Sequence, residues 1–243
     1  MVNDTANGLV AWGEDTAATP VDPTFSTAQS TTSMYTTSPI LVTLEELTDS
    51  AFNLDEFIGN AFGQRLYRGL AKYLSQGDSS GAFASYFSGA TSGATSASPT
   101  AIVYADLLNL YNSIDPSYLL NSTWTMNSAT RGALLGVVDT TGRPLFQPAL
   151  SAPNGVDALG TLLGRPVVLD QFAPSIAATN KAIAFGDFKA GFTLRNVGSF
   201  QIVRDPYTYL ISKGAVAFIG YGRGGSYSTD AGTHPIKVLT QHA

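Results

Sequence analysis

The residues best placed to do chemistry are glycines near the end of the chain. Residues 220–225 read GYGRGG, which has the G-x-G-x-x-G spacing of dinucleotide-binding loops and follows an apolar stretch. That chemistry needs the motif to open a helix in a βαβ unit, with an acidic residue about 20 positions later. Only residues 226–243 remain after the motif, and they contain Pro235. The sequence therefore favours a flexible glycine turn over a nucleotide-binding enzyme.

Histidine chemistry is confined to His234 and His242, both close to the C-terminus. A serine hydrolase would need one of them as its general base, and the sequence has no G-x-S-x-G nucleophile elbow. We expect no supporting carboxylate near the pair, so no metal site is predicted. Both histidines are expected to be solvated.

Adjacent carboxylates are the remaining candidates for acid–base chemistry. They occur at Glu14-Asp15, Glu45-Glu46 and Asp55-Glu56. Neighbouring acids on a helix or strand point in different directions, whereas paired catalysis needs two carboxyls that converge on one cleft. We therefore predict no enzyme active site and no cofactor.

The elements that must position these residues begin with a polar N-terminal stretch. Residues 8–42 are rich in Thr, Ser, Ala and Pro, with a turn cluster, TPVDP, at residues 19–23. Two extended strands joined there would form a long hairpin arm. Its apolar residues are too sparse for a core, so the arm must lie on another surface to be ordered. A disordered N-terminal tail is the alternative.

The strongest helical pattern covers residues 53–77. Asn53 can cap this helix with Glu56 three positions later, and apolar residues recur at helical spacing. Acidic residues in the first turn and Arg65 and Arg68 in later turns suit the helix dipole. Gly77 can end the helix, which at 1.5 Å per residue would be roughly 33 Å long.

The rest of the chain mixes shorter elements. Residues 77–98, mostly Gly, Ser, Ala and Thr, are predicted to be a long loop, and Ser98-Pro99 is predicted to open a second helix. A capped helix is predicted from Asn127 to about residue 138. Strands are predicted at residues 123–126, 165–169, 182–185, 191–195, 200–204, 215–221 and 236–239. This mixture without strict alternation indicates an α+β fold.

Composition and charge narrow the class of protein. The chain has 243 residues, is 44% apolar and has no cysteine, so a sizeable core is expected and a disulfide framework is excluded. No apolar run reaches the roughly 18 residues of a membrane span, and the start lacks the basic residues of a signal peptide. The basic residues are scattered, which does not predict a specific nucleic-acid site.

The net charge of −5 is unevenly distributed. Residues 1–64 hold nine acidic residues and no Lys or Arg, whereas residues 65–243 hold the other nine acidic residues and all 13 basic ones. Such asymmetry marks either two surfaces that meet in different copies of the chain or an acidic segment that solvates itself.

Several separated stretches together resemble the major capsid proteins of tailed bacteriophages, which have the Hong Kong 97-type fold. The stretches follow the family order over most of the chain. They are TPVDPTF (19–25), ILVTLEELTDSAFNL (40–54), WTMNSATRGAL (124–134), GRPLFQP (142–148), LLGRPVV (162–168), FGDF (185–188) and RDPYT (204–208).

The resemblance implies a noncatalytic shell subunit with three parts. These are an E-loop hairpin arm at 8–42, a P-domain at 43–122 plus 195–232 with its spine helix at about 53–77, and a mixed A-domain at 123–194 plus 233–243. The implied partners are copies of the chain in pentamers and hexamers of an icosahedral head, scaffolding and portal proteins, and packaged DNA bound non-specifically, with no membrane. Assembly is implied in the bacterial host cytoplasm and the final location in the virion.

Nine residues within the matching stretches or the long helix and arm are candidates for contacts between subunits. They are Asp15, Pro20, Asp22, Phe25, Arg65, Arg68, Arg204, Asp205 and Tyr207.

Two departures from the family pattern matter. The family normally has an N-terminal arm before the E-loop, and Met1 lies almost at the loop, so we expect that arm to be lacking. Some members also cross-link subunits through an E-loop lysine and a buried glutamate. Here no lysine precedes Lys72 and no glutamate follows Glu56, so we predict no such isopeptide bond.

Three other interpretations remain open at this point. An encapsulin-type nanocompartment shell would share the fold and package enzymes in place of DNA. A nucleotide-binding enzyme would use the glycine motif. A phage adhesin or fibre domain would suit the Thr and Ser content but not the long helix.

Overall fold

The computed structural model describes residues 31–49, 54–138, 160–230 and 232–243, together with the strand pairing of residues 2–3, 24–25 and 146–147. The chain divides into two compact units. Unit 1 comprises Met1–Gln29, Tyr86–Thr193 and Tyr227–Ala243, and unit 2 comprises Ser30–Ser85 and Leu194–Ser226.

The described elements are mixed helices and strands, as the α+β prediction requires. The strands are β1 (Val2–Asn3), β2 (Thr24–Phe25), β3 (Ser33–Thr36), β4 (Ile40–Thr43), β5 (Thr91–Thr95), β6 (Thr123–Met126), β7 (Phe146–Gln147), β8 (Thr161–Leu162), β9 (Arg165–Leu169), β10 (Lys181–Gly186), β11 (Phe192–Asn196), β12 (Gln201–Asp205), β13 (Ala215–Ser228) and β14 (Ile236–Thr240). The helices are α1 (Leu44–Asp49), α2 (Leu54–Gln76), α3 (Tyr104–Ser113), α4 (Pro116–Leu119), α5 (Ser128–Leu135), α6 (Phe188–Gly191) and α7 (Leu210–Lys213). None of the helices in the described ranges is long and apolar enough to cross a membrane.

Unit 1 is built on a seven-stranded sheet with the order β5-β14-β10-β6-β9-β8-β7. Its central strands pair antiparallel, whereas β5 pairs parallel with β14 and β9 pairs parallel with β6. The rings of Trp124 and Phe185 stack at 4.0 Å, and the Trp124 indole N–H donates to the carbonyl oxygen of Leu162 at 2.9 Å. Both side chains are fully buried, so these aromatic residues fix the middle of the core.

The second helix, α3, begins later than the sequence predicts. It starts at Tyr104 and not at Ser98-Pro99. The reason is the buried carboxylate of Asp106, which accepts the backbone N–H of Val103 at 3.0 Å and that of Ala97 at 3.2 Å. One side chain thereby satisfies both the first turn of the helix and the segment before it.

The predicted loop at 77–98 contains a strand, β5, so this prediction was wrong in part. The strand lies against α3, where a Cβ at Gly93 would come within 2.8 Å of the Leu110 side chain. The small residues of β5 permit this close approach. Because few of them are apolar, the strand shows no hydrophobic periodicity from which it could be predicted. The predicted P-domain at 43–122 includes residues 86–122, which belong to unit 1, where β5 pairs with β14.

Unit 2 is organised around β13, which has 14 residues and is the central strand of a five-stranded sheet. β4 and then β3 pair antiparallel with β13, and so does β12. Residues 33–36 and 40–43, predicted as the end of a projecting arm, are therefore strands of this sheet. The part of the arm before residue 31 lies outside the described residues apart from the pairing of β1 with β2.

The glycine motif was predicted to be a flexible turn, and this prediction was wrong. Residues 220–225 lie inside β13. A Cβ at Gly222 would lie 2.7 Å from the Tyr35 ring, and one at Gly225 would lie 2.1 Å from the carbonyl oxygen of Thr31. These glycines admit neighbouring groups close to the strand, which is a packing role.

The long helix agrees closely with its prediction, since α2 spans Leu54–Gln76. Ile58 and Phe62 are its buried apolar residues and pack with Val42. Gly77 ends the helix with φ +81°, and its N–H donates to the carbonyl oxygen of Tyr73 at 2.8 Å. The predicted cap at Asn53 lies outside the described residues.

Candidate assembly surfaces

The first candidate surface is a groove in unit 2 with a volume of about 450 Å³. It is lined by residues 35–38, which form the end of β3 and the start of the link to β4, and by the side of α2 that carries Arg65, Arg68 and Tyr73. The spacing of one helical turn places both arginines on the same side of α2. We call this the α2 groove.

The two arginines leave net positive charge at the α2 groove. The Arg65 guanidinium donates to the carbonyl oxygen of Ser38 at 2.8 Å, a neutral acceptor that fixes the side chain without cancelling its charge. Within the described ranges neither Arg65 nor Arg68 forms an ion pair, and both are exposed. Burial raises the pKa of the Tyr35 hydroxyl, so this group stays neutral at physiological pH.

Arg204, Asp205 and Tyr207 lie where β12 ends and the chain turns towards α7. The Asp205 carboxylate accepts the Thr208 hydroxyl and the backbone N–H groups of Tyr207 and Thr208, at 3.0 and 3.2 Å respectively. The Thr208 hydroxyl and then these N–H groups hold the pKa of Asp205 below its usual range. Asp205 therefore shapes this turn, whereas Arg204 and Tyr207 are exposed.

An apolar tip follows the turn, and sequence reasoning missed most of it. Tyr207 is 79% exposed and Ile211 is 98% exposed, with Leu210 exposed beside them. The available signal was a run of apolar residues between an Asp-Pro turn and Gly214. Apolar side chains exposed to this degree and close together are typical of protein–protein contact sites. None of them lines the α2 groove.

Four of the nine candidate residues cannot be placed as side chains. Asp15, Pro20 and Asp22 lie outside the described residues. Phe25 belongs to β2 and pairs with Val2 along the backbone. The structure brings Arg65 and Arg68 together, and Arg204 with Asp205 and Tyr207; as contacts between subunits, all nine residues remain predictions.

The expectation that no carboxylate lies near His234 was wrong. Its Nδ1 lies 2.5 Å from Oδ2 of Asp230 and 3.2 Å from the Thr91 hydroxyl, and its backbone has φ +51°. A catalytic triad needs the carboxylate and the hydroxyl on opposite ring nitrogens. Because both groups contact Nδ1, this arrangement stabilises the turn and does not form a proton relay. His242 is exposed, as predicted.

Opposing effects act on the Asp230 carboxyl. Burial raises its pKa, but hydrogen bonds from the backbone N–H and ring of His234 and from the N–H of Gly232 outweigh burial and hold the pKa below the ordinary value. In the part of the chain that the structure describes, no three His, Asp or Glu side chains gather as metal ligands would.

A two-unit protein with mixed sheets, a cationic groove and an exposed apolar tip has the features of a structural protein that makes contacts with other chains. Similarity to known proteins identifies the class of structural protein. The chain belongs to the phage capsid family, whose profile matches residues 1–239. It is a structural major capsid subunit of the virion shell, and the encapsulin alternative is not favoured.

Solved structures agree with this assignment. The capsid of an empty GTA particle, computed with C5 symmetry, is 26% identical with a TM-score of 0.71, covering 86% of this chain and 73% of that one. A structure from Gordonia phage Cozz is 15% identical with a TM-score of 0.67, covering 100% and 80%. One from Microbacterium phage Oxtober96 is 17% identical with a TM-score of 0.64, covering 86% and 72%. No curated protein sequence matched the chain.

Proposed function

We propose that this chain is the main shell subunit of a tailed phage or prophage head, with the Hong Kong 97-type fold, and that its copies assemble into an icosahedral shell around DNA. The observation that carries the proposal is the family match along residues 1–239. The 26% identical capsid, taken from a particle with five-fold symmetry, supports closed assembly.

In this proposal unit 2 is the P-domain, α2 is its spine helix, and the part of unit 1 from Tyr86 onwards is the A-domain. Residues 8–30 belong to the E-loop. Pentamers and hexamers form through contacts on both units, with scaffolding and portal proteins as transient partners in the host cytoplasm. Packaged DNA is held without sequence preference.

The nine candidate residues serve as subunit contacts in different ways. Arg65 and Arg68 offer positive charge in the α2 groove, Tyr207 forms part of the apolar tip, and Arg204 offers a further positive charge at the end of β12. Asp205 acts through the shape of the turn. Asp15, Pro20, Asp22 and Phe25 belong to the proposed E-loop and would contact a neighbouring subunit.

Sedimentation velocity of the purified chain tests self-assembly. We expect species far larger than the 25.5 kDa monomer, growing with protein concentration. A single 25.5 kDa species over a hundredfold range of concentration would contradict the proposal. Particles that form during infection, co-purify with an enzyme and contain no nuclease-protected DNA would instead support a nanocompartment.

A further inference from the structure

We propose that the α2 groove is the docking site for helix α1 of a second copy of this chain, with Arg65 and Arg68 of one copy facing Glu45 and Asp49 of the other. The inference rests on the proposed self-assembly and specifies one of its interfaces. It links two different surfaces of the same unit, so the contact is head to tail.

The α2 groove has the charge of a site for an acidic partner. Arg65 and Arg68 lie one helical turn apart and form no ion pair within the described ranges. Arg65 is already anchored on the Ser38 carbonyl at 2.8 Å, which lowers the entropy cost of holding it in place for a partner. The side chains of Tyr35 and Tyr73 complete the lining with aromatic surface.

Helix α1 presents matching groups. Glu45 and Asp49 are exposed, lie one turn apart and have no ion pair in the described part of the chain. Their neighbour Glu46 is engaged differently, because it accepts the backbone N–H and hydroxyl of Thr43, both at 3.2 Å, in a capping box. That box fixes the start of α1 and so directs the two remaining acids.

Spacing and polarity agree between the two surfaces. On a helix, residues three or four positions apart lie about 5–6 Å apart at Cβ, so a pair of acids on α1 can meet a pair of arginines on α2. Leu44, 46% exposed, lies next to Glu45 and can cover the aromatic lining of the groove. No Lys or Arg precedes Arg65 in the sequence. The proposed contact is one physical consequence of this uneven distribution of charge.

A contact between two different patches propagates from copy to copy. It closes into a ring when the rotation between copies divides a full turn, and otherwise forms an open filament. The α1-to-groove contact therefore suits the rings of a shell, whereas an isologous dimer contact does not.

Charge reversal on each side tests the pairing. Arg65→Glu/Arg68→Glu and Glu45→Arg/Asp49→Arg should each assemble at least about tenfold less well in sedimentation velocity, because like charges then face each other. The variant carrying all four changes should recover assembly. An equal mixture of the two double variants should recover open oligomers and even-membered rings, in which every contact joins opposite charges, whereas a five-membered ring keeps one like-charged contact.

Matched controls separate docking from folding. Lys72→Glu makes the same charge change on α2 outside the groove lining and should assemble normally. Arg68→Glu removes no Ser38 hydrogen bond, so its thermal midpoint should equal that of the wild type while its assembly weakens. Both variants are measured beside the wild type in the same buffer.

Each outcome separates this inference from the proposed function. If the wild type assembles and Arg65→Glu/Arg68→Glu assembles equally well, the docking inference fails and the shell function stands. If Arg65→Glu/Arg68→Glu assembles normally but no longer binds duplex DNA, the α2 groove binds the DNA phosphate backbone and the docking inference also fails. If the wild type is strictly monomeric, both fail.

Discussion

Single side chains in this protein hold turns and close contacts in place. Asp230 receives three hydrogen bonds across the turn before β14, from Gly232 and from the backbone and ring of His234. Its lowered pKa means that the folded state prefers the charged carboxylate. Stability from that charge is present above the ordinary aspartate pKa of about 3.9 and is lost as the pH falls through the lower folded-state value.

Asp230→Asn measures this contribution. The amide oxygen can still accept the backbone N–H groups, so the variant removes mainly the charge. We expect the wild type to be more stable at pH 6, with the difference shrinking as the pH falls below about 4. Thermal unfolding across this pH range checks the expectation, and a difference independent of pH would contradict it.

Glycines give a second residue-scale prediction. Gly222→Ala should lower the free energy of unfolding by about 1–3 kcal/mol, because the added Cβ meets the Tyr35 ring and overpacks the contact. Gly63→Ala is the control, since nothing lies within 4 Å of its Cβ on exposed α2. It should stabilise the protein by about 0.5–1 kcal/mol through helix propensity. Urea denaturation of both variants compares them, and equal effects would show that the close approach carries no energy.

Among the elements, α2 was predicted over nearly its whole length, whereas only the first half of β13, residues 215–221, was predicted as a strand. The bounds of α2 followed from apolar periodicity and Gly77, which are local signals. The glycines in β13 make room for groups that are distant in sequence, such as Tyr35. Because this reason is not visible in the local sequence, their pattern resembled that of a turn. β5 was missed for a similar reason, because its position depends on pairing with β14 and not on its own residues.

The same limits apply to the candidate surfaces. Arg65 and Arg68 could be placed together from helical spacing alone. The contact of Asp205 with Thr208 follows from their proximity in sequence, but the exposure of Ile211 depends on how the tip leaves the sheet. The partnership of His234 with Asp230 needed the positive φ of His234, which the sequence does not reveal.

At the element scale, Asp106 controls where α3 begins. Asp106→Ala removes the buried carboxylate that accepts the partly buried N–H groups of Ala97 and Val103, and should cost about 1–3 kcal/mol of stability. Asp106→Asn keeps one acceptor oxygen and should cost less. Asp115→Ala, at the exposed cap of α4, should have a smaller effect than either. Denaturant titrations rank the three, and a largest loss at Asp115 would contradict this role for Asp106.

Unit 1 has a buried core, and unit 2 carries surfaces that are exposed among the residues that the structure describes. These surfaces are the α2 groove and the apolar tip at Tyr207 and Ile211. A structural subunit needs such groups, because many modest contacts repeated around a closed shell sum to a stable assembly. The chain belongs to the phage capsid family, and we propose that these surfaces serve contacts between its copies.

Ile211→Asp tests the apolar tip. With 98% of the side chain exposed, the change should leave the unfolding midpoint unaltered while it weakens self-association several-fold. Ser212→Asp is the matched control, since it adds the same charge one residue away without removing apolar surface. Sedimentation velocity compares the two, and equal losses would attribute the effect to charge alone.

Electron microscopy of the chain expressed alone tests the central claim most directly. We predict closed particles of uniform diameter with five-fold vertices, formed from this chain without an enzyme cargo. A preparation that stays folded and monomeric at every concentration, with no closed particles in the images, would contradict the assignment as a self-assembling shell subunit.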